Sequence, residues 1–333
     1  MSESINADDL ALLSASFEAV MADAPGPGEA DRALHDLGWA DLLDAAPGPA
    51  AAMAFTALGT TGSAATLLDD VVAHALGLPI TPEICMLFPA TLHNNPADPH
   101  PDDPKILLQE DPFVVNGLVS SRINQAAAVV VALDDGSGPV LGAFEAGFLR
   151  NWEATGVDPA HAYRHLSTRI RTELMTPIEN NGNWDAAMAT ARMALAHQLI
   201  AGARRMLAEA RQHALDREQF GRPVASFQAI RHKLADSLVL IEGAASVAEA
   251  CLRDPDPMLA ALAKALAGQA ALTTAAHAQQ VLGGIGFTAE HRFHLWLKRM
   301  LVLDALFDSA RYLSTEIGRD LLIHGTVPRL IQL

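Results

Sequence analysis

Aromatic residues make up only 5% of this 333-residue chain, with two tyrosines and four tryptophans. Cysteine is scarcer still. Cys85 and Cys251 stand far apart, which excludes a disulfide framework or a paired-cysteine metal site and suits a reducing cytoplasm. Positive charge is in short supply too. Lys and Arg number 23 against 39 Asp and Glu, a formal net charge of −16. Such a chain repels phosphate backbones, so nucleic acid is not expected as a partner. Long uncharged apolar runs are missing as well. "AAMAFTALGTTGSAATLL" comes nearest, but it is short and carries Gly, Thr and Ser, so no membrane span is expected. The opening "MSESINADDLALLS" has neither a basic start nor an apolar core, and no signal peptide is read there.

What remains is plentiful in alanine, 50% hydrophobic and only 19% charged, the balance of a globular chain built from tightly packed helices. The length suggests two or three compact parts. Residues 1–80 read as helical. "ADDLALLSASFEAVMADA" has apolar residues at helical spacing, with Ser4, Asn6 and Asp8 as candidate caps. "EADRALHDLGWADLLDAA" predicts a second helix. "AAAMAFTALGTTGSAATLLDDVVAHALGL" predicts a third, weakened by glycine in its middle.

Residues 81–182 change character. After a proline-rich stretch come apolar runs of strand length: "KILLQ", "FVVNGLV", "AAAVVVALDD" and "PVLGAFEAG". The "DDGSG" between the last two is a hairpin signal, so a small antiparallel sheet is expected. Residues 183–333 return to helix, opening at a cap on Asn183 or Asp185. The long periodic stretches predict an antiparallel four-helix bundle. "LVLDALFDSARYLSTEIGRDLLIHG" is read as one closing helix.

Two connections inside the bundle carry unusual chemistry. In "REQFGRPVASFQ", Arg217 offers a planar guanidinium suited to phosphate, Gln219 can donate and accept, and Phe220 offers a ring face. Taken alone the stretch is equally a helix C-cap with Phe220 packed inward. In "QQVLGGIGFT", Gly283, Gly284 and Gly286 remove side chains where backbone can approach a ligand. A helix rather than a strand precedes it, so it is not a dinucleotide-fold fingerprint, and alone it is equally a flexible helix end.

Together, "RxQFGxPxxxFQAxxHxLAD", "QxxGGxGFTxEH" and "HLWLKR", in this order and at these intervals, resemble the C-terminal domain of the acyl-CoA dehydrogenase family. The resemblance implies a mainly α fold with a small β domain. Its parts are an N-terminal helical domain at 1–80, a middle antiparallel β domain at 81–182 and a C-terminal four-helix bundle at 183–333. It implies FAD as cofactor, an acyl-CoA substrate, an electron-transferring flavoprotein as acceptor, and a cytoplasmic site. Arg217 matches the arginine that binds the FAD diphosphate across a subunit interface. Gln219 and Phe220 match neighbouring cofactor contacts, and Phe227 and Gln228 a pair lining the same cofactor. Gln280, Val281, Leu282, Gly283 and Gly284 match the segment packed on the adenosine end. Arg192 matches a helix arginine found near the active site in some members. No metal is implied.

Two departures stand out. The family's Thr-Glu-Pro and Gly-Ser segments, which hold the flavin ring, have no counterpart in "CMLFPATLHNNPADPHPDDP". The slot of the catalytic glutamate falls on Phe307 without gaps and on Asp308 with one insertion, while the alternative slot on the first bundle helix is Ala191. Asp308 is thus the candidate base. The resemblance then allows a complete dehydrogenase, a subunit of a mixed oligomer whose homologous partner holds the ring pocket, or a silent scaffold. Keeping the Arg217 half while losing the other favours the mixed oligomer, of the kind found in steroid degradation.

Overall fold

The computed structural model describes residues 7–24, 26–89, 113–134, 139–149, 158, 163–178 and 184–325. Its residues gather into two compact units. One comprises Met1–Ala51, Ser63–Ala191 and Leu306–Asp308, the other Ala52–Gly62, Arg192–Ala305 and Ser309–Leu333.

In the first unit, helices α1 (Ala7–Asp23), α2 (Pro27–Asp36) and α3 (Trp39–Ala45) are followed, after α4 (Pro47–Thr61), by α5 (Leu67–Ala75). The second expected helix is two. Gly38 at φ 86 turns the chain left-handed and separates α2 from α3. The third is also two, because Gly62 at φ 72 ends α4 before α5 begins. Ser4, Asn6 and Asn183 lie outside the described residues, and Asp8 and Asp185 lie within their helices.

Two small sheets follow. One runs β1 (Ile84–Met86), β4 (Ala128–Asp134), β5 (Pro139–Glu145), β7 (Thr176–Ile178), and the other β2 (Phe88–Pro89), β3 (Phe113–Val119), β6 (Arg164–Ile170). "FVVNGLV", "AAAVVVALDD" and "PVLGAFEAG" supply β3, β4 and β5, while "KILLQ" lies outside the described residues. The expected hairpin pairs β4 with β5 from Ala128↔Glu145 to Asp134↔Pro139, its tip outside the described residues. The sheets are not wholly antiparallel, however. β1 runs parallel to β4, because the chain reaches it from a helix rather than through a hairpin. Period-two alternation buries Val129 and Val131 of β4 with Val115, Val119, Phe144 and Leu166 in one apolar core.

A charged knot lies beneath this core. Arg122, 1% exposed, forms an ion pair with Asp70 and donates through Nε to Thr66 at 2.9 Å. Asp70 also accepts from Trp39 Nε1 at 3.0 Å. Asp69 accepts from the Met86 amide and the Ser120 hydroxyl, both at 2.7 Å. Asp31 accepts from the Thr66 amide at 2.6 Å. These bonds tie α2, α3 and α5 to the first strand.

The second unit is a helix bundle. α6 runs Trp184–Asp216, entering it at Arg192, and is followed by α7 (Gln228–Arg253), α8 (Pro257–Leu282), α9 (Phe293–Ala305) and α10 (Ala310–His324). Asp256 caps α8 by accepting from the Leu259 amide at 2.9 Å, with Pro257 at the first helical position. Ser237 and His277 join α7 to α8 at 2.9 Å. The stretch Pro257–Phe287 is long and apolar enough to cross a membrane by composition, contrary to the sequence expectation. Its alanine-rich faces are instead 67% buried, as in the core helix of a bundle. The tail of α4 crosses α6 closely. A Cβ on Gly59 would strike the Gln198 carbonyl, and one on Gly202 would lie 2.5 Å from Met300 Cε. Arg299 closes α4 by donating to Gly62 O at 3.1 Å, a cation at a helix C-terminus.

Candidate functional site

The connection from α6 to α7 is more than a turn. Glu218–Gln219 and Arg222–Pro223 pair as a two-residue β-hairpin, β8 and β9. Phe220 and Gly221 form its tip at φ 55 and φ 76, both left-handed, as a tight hairpin of this twist requires. Glycine accepts that conformation without penalty; phenylalanine does not. Phe220 is not packed inward. It is 92% exposed, touching Phe227 edge to face with centroids 6.2 Å apart. The Arg222 guanidinium lies 4.1 Å above the Phe227 ring. Phe227 is half-buried and immediately precedes Gln228, the first residue of α7, which is exposed.

Arg217 stands at the base of this hairpin. Its amide donates to His213 O at 2.9 Å and its carbonyl accepts from Val224 at 2.8 Å. Its side chain is exposed and has no ion-pair or hydrogen-bond partner among the described residues. Gln219 Nε2 donates to Glu218 O at 2.7 Å.

α7 descends from the hairpin and α8 returns, so the end of α8 comes back to the hairpin's end of the bundle. There Gly283 adopts φ 60 and ψ −136, open only to glycine, and breaks the helix into the short 3-10 turn Gly283–Phe287. A Cβ on Gly283 or Gly284 would meet nothing within 4 Å, so this backbone is open to approach. Gly286 differs: its Cβ would press on Gln279 Nε2 at 2.7 Å, which makes it a packing glycine. Gln280 is exposed, whereas Val281 and Leu282 are buried and anchor the turn. An exposed guanidinium without a counter-ion and an open glycine backbone at one bundle end fit a diphosphate-bearing cofactor.

Two other predicted positions are placed apart from this end in sequence. Arg192 is half-buried on α6 where the bundle begins. Phe307 and Asp308 fall in a break between α9 and α10, at φ 52 and φ 78, so the expected single closing helix is two. The break has a local cause: Ser309 caps α10 by accepting from the Tyr312 amide. Phe307 packs on Phe88 with centroids 5.3 Å apart. Asp308 is 1% exposed and is not a solvated helix residue. The buried ring of Phe307 offers no proton acceptor in the ungapped base slot.

Sequence reasoning passed over several groups near Arg217. His213 faces His291 and Arg217 electrostatically. Trp296 lies between Arg205 at 5.5 Å and Arg292 at 5.3 Å. Only His291 lies within a stretch whose pattern could have drawn attention, "GFTAEH". The buried Asp31–Asp69–Asp70–Arg122 knot was missed because its members are scattered over 92 positions of ordinary helix and loop.

Comparison with known proteins agrees with this geometry. Residues 184–307 match the family model described as acyl-CoA dehydrogenase, C-terminal domain. The chain is 44% identical over 123 residues to acyl-CoA dehydrogenase IpdE2 of Mycobacterium tuberculosis, a match covering 37% of this chain and 38% of that protein. It is 34% identical over 131 residues to the short-chain specific acyl-CoA dehydrogenase of Megasphaera elsdenii, covering 37% and 34%. These matches therefore span well under half the length of the curated relatives. Among solved structures, the ChsE4-ChsE5 complex from Mycobacterium tuberculosis contains a chain that superposes with a TM-score of 0.72 at 19% identity, over 98% of this chain and 99% of that one. A variant of the Tcur3481-Tcur3483 steroid ACAD gives 0.71 at 21% identity, over 96% and 98%. The chain belongs to the acyl-CoA dehydrogenase family, through its C-terminal domain at 184–307 and the fold it shares with those structures.

Proposed function

We propose that this chain is a subunit of an FAD-dependent acyl-CoA dehydrogenase, and that it donates the adenosine and diphosphate half of the FAD site to a homologous partner subunit. The carrying observation is the contrast between two places. Arg217 is presented outward on a strained hairpin without a counter-ion, while the ungapped base slot holds the buried ring of Phe307. The relatives are named acyl-CoA dehydrogenases, and two fold neighbours are titled as assemblies of two differently named chains.

In this reading the reaction removes a proton from the carbon alpha to the thioester and two electrons with a proton, as hydride, from the beta carbon, leaving a trans-2-enoyl thioester. FAD, when bound, supplies the hydride acceptor, and an electron-transferring flavoprotein takes the electrons onward. Arg217 holds the diphosphate by charge-assisted hydrogen bonds, and Gly283 and Gly284 let backbone approach the adenosine end. Gln219, Phe220, Phe227, Gln228 and Gln280 flank that half. The partner supplies the ring pocket and the carboxylate that takes the proton. Arg192 lies toward the substrate, and the assembly works in the cytoplasm.

The test is purification with and without a homologous partner, reading flavin absorbance per chain. Little flavin alone, and about one flavin per two chains together, is expected. Arg217→Ala should lower flavin affinity in the assembly by about 1.5–3 kcal/mol. One FAD per chain in a self-assembled oligomer that turns over acyl-CoA would overturn the reading. A second reading, a complete enzyme with Asp308 as base, has one observation in its favour: a buried carboxylate on a backbone strained at two successive residues. Loss of turnover in Asp308→Asn, with flavin retained, would select it.

A further inference from the structure

The anion-binding corner extends beyond the residues that pointed to it. Arg205, Glu209 and His213 recur at four-residue spacing along α6, so they lie on one face, and Arg217 continues the column just past the helix. The column meets the segment that leads into α9. His291 stands close enough to His213 to act on it electrostatically, and so does Arg217. Burial lowers the pKa of His213, His291 and Arg217 lower it further, and Asp216 opposes them. The nearby carboxylates are otherwise engaged. Asp216 accepts from Gln212 Nε2 at 3.0 and 2.9 Å, and Glu209 accepts from Arg205 at 3.0 Å. Glu218 and Glu290 are exposed. On the other side, Arg292 is occupied with the Trp296 ring, and His294 Nδ1 lies 2.8 Å from His291 O. His291 Nδ1 accepts from the Phe293 amide at 3.1 Å, which places its ring proton on Nε2 as a free donor. Two imidazoles thus crowd against an unpaired guanidinium in a chain of net charge −16. Crowded like charges are unfavourable until an anion sits among them.

We infer that His213 and His291 join Arg217 in holding a diphosphate, the group carried alike by FAD and by coenzyme A. The inference rests on the proposed role of Arg217 and enlarges it. An imidazole that meets a bound anion is protonated more readily, so binding strengthens as pH falls through the histidine range.

The experiment titrates the full-length chain with FAD and, separately, with coenzyme A, following the imidazole resonances by NMR and the affinity by calorimetry. FAD should shift both His213 and His291 and raise the titration midpoint of His213. Its affinity should be about tenfold higher at about pH 6 than at about pH 8. His213→Gln with His291→Gln should flatten that dependence while circular dichroism stays unchanged. A response to coenzyme A and none to FAD would keep the diphosphate site and assign it to the substrate carrier. Imidazole resonances that move with neither probe would overturn the inference. If Arg217→Ala loses flavin from the assembly but the histidine variants keep both affinity and its pH dependence, this inference fails and the proposed function stands. If Arg217→Ala loses nothing, the proposed function fails.

Discussion

Asp69→Asn should stabilise this protein at neutral pH, although it removes a buried charge next to an arginine. Three buried carboxylates, Asp31, Asp69 and Asp70, share the single cation Arg122. Burial pushes Asp70 up, but Arg122 and His35 outweigh that and hold it below the usual range. Asp69 and Asp31 are the surplus. Burial raises both, and for Asp69 the donors Arg122, Met86 and Ser120 leave it at about 6 against 3.8 when unfolded. The sign follows. Between 3.8 and about 6 the folded state keeps a proton that the unfolded state has lost, so stability falls as pH rises through that window. The full cost, about 3 kcal/mol, stands above it. Asparagine mimics the protonated acid: its oxygen can accept from Met86, and its amide can donate to a rotated Ser120 hydroxyl. The gain should be about 3 kcal/mol near pH 8 and small near pH 4. His197 complicates the wild-type profile. Burial, and then Arg204, hold its pKa at about 4 against 6.5, so stability falls as pH drops through that range, with the opposite sign. Urea unfolding of mutant and wild type at both pH values, compared by difference, isolates Asp69. An asparagine variant that is less stable near pH 8 would refute the reasoning and show that Arg122 needs all three carboxylates.

Gly59→Ala should cost about 3 kcal/mol or more, because the new methyl meets the Gln198 carbonyl and the α6 backbone. Gly202→Ala should cost about 1 kcal/mol, because it meets the flexible end of Met300; denaturant midpoints compare the two. Phe220→Asn creates the Asn-Gly tip preferred in such hairpins and should leave thermal stability unchanged or raise it by about 1 kcal/mol, while weakening flavin retention in the assembly. Asp308→Gly should be more stable than Asp308→Ala by about 1 kcal/mol, because only glycine accepts φ 78 freely. Under the mixed-oligomer reading both variants should turn over acyl-CoA at nearly the wild-type rate.

Helical periodicity located α6, α7 and α8 because each buries one stripe over many turns, so the signal repeats. It failed where one residue decides. Gly38, Gly62 and the Phe307–Asp308 pair break helices without interrupting the apolar pattern, and a periodicity argument has no term for a single left-handed residue. β1, β6 and β7 escaped notice because short strands in a mixed sheet lack turn signals at their ends. The candidate site was legible as far as side-chain type reached: Arg217 and the glycines. The histidine column was not, since α6 meets the segment before α9 only once the bundle is assembled.

Among the described residues, three that are not glycine adopt left-handed backbone: Phe220, Phe307 and Asp308. Each costs about 1–2 kcal/mol, and asparagine or glycine would relieve most of it. Phe307 recovers that cost by burying its ring on Phe88. Phe220 does not. Its ring is 92% exposed and touches Phe227 only edge to face, a contact worth about 1 kcal/mol at best. A large apolar ring held outward on a strained turn contributes little to the fold of the isolated chain. Its cost is offset only when something covers it. The same turn presents Arg217 without a counter-ion and Arg222 stacked on Phe227. A charge that lacks an anion and a ring that lacks a cover, on one hairpin, are both satisfied by a single event: a subunit that brings its cofactor with it. A silent scaffold requires neither feature, and so the hairpin's strain argues for the donated half-site on grounds independent of the sequence motif.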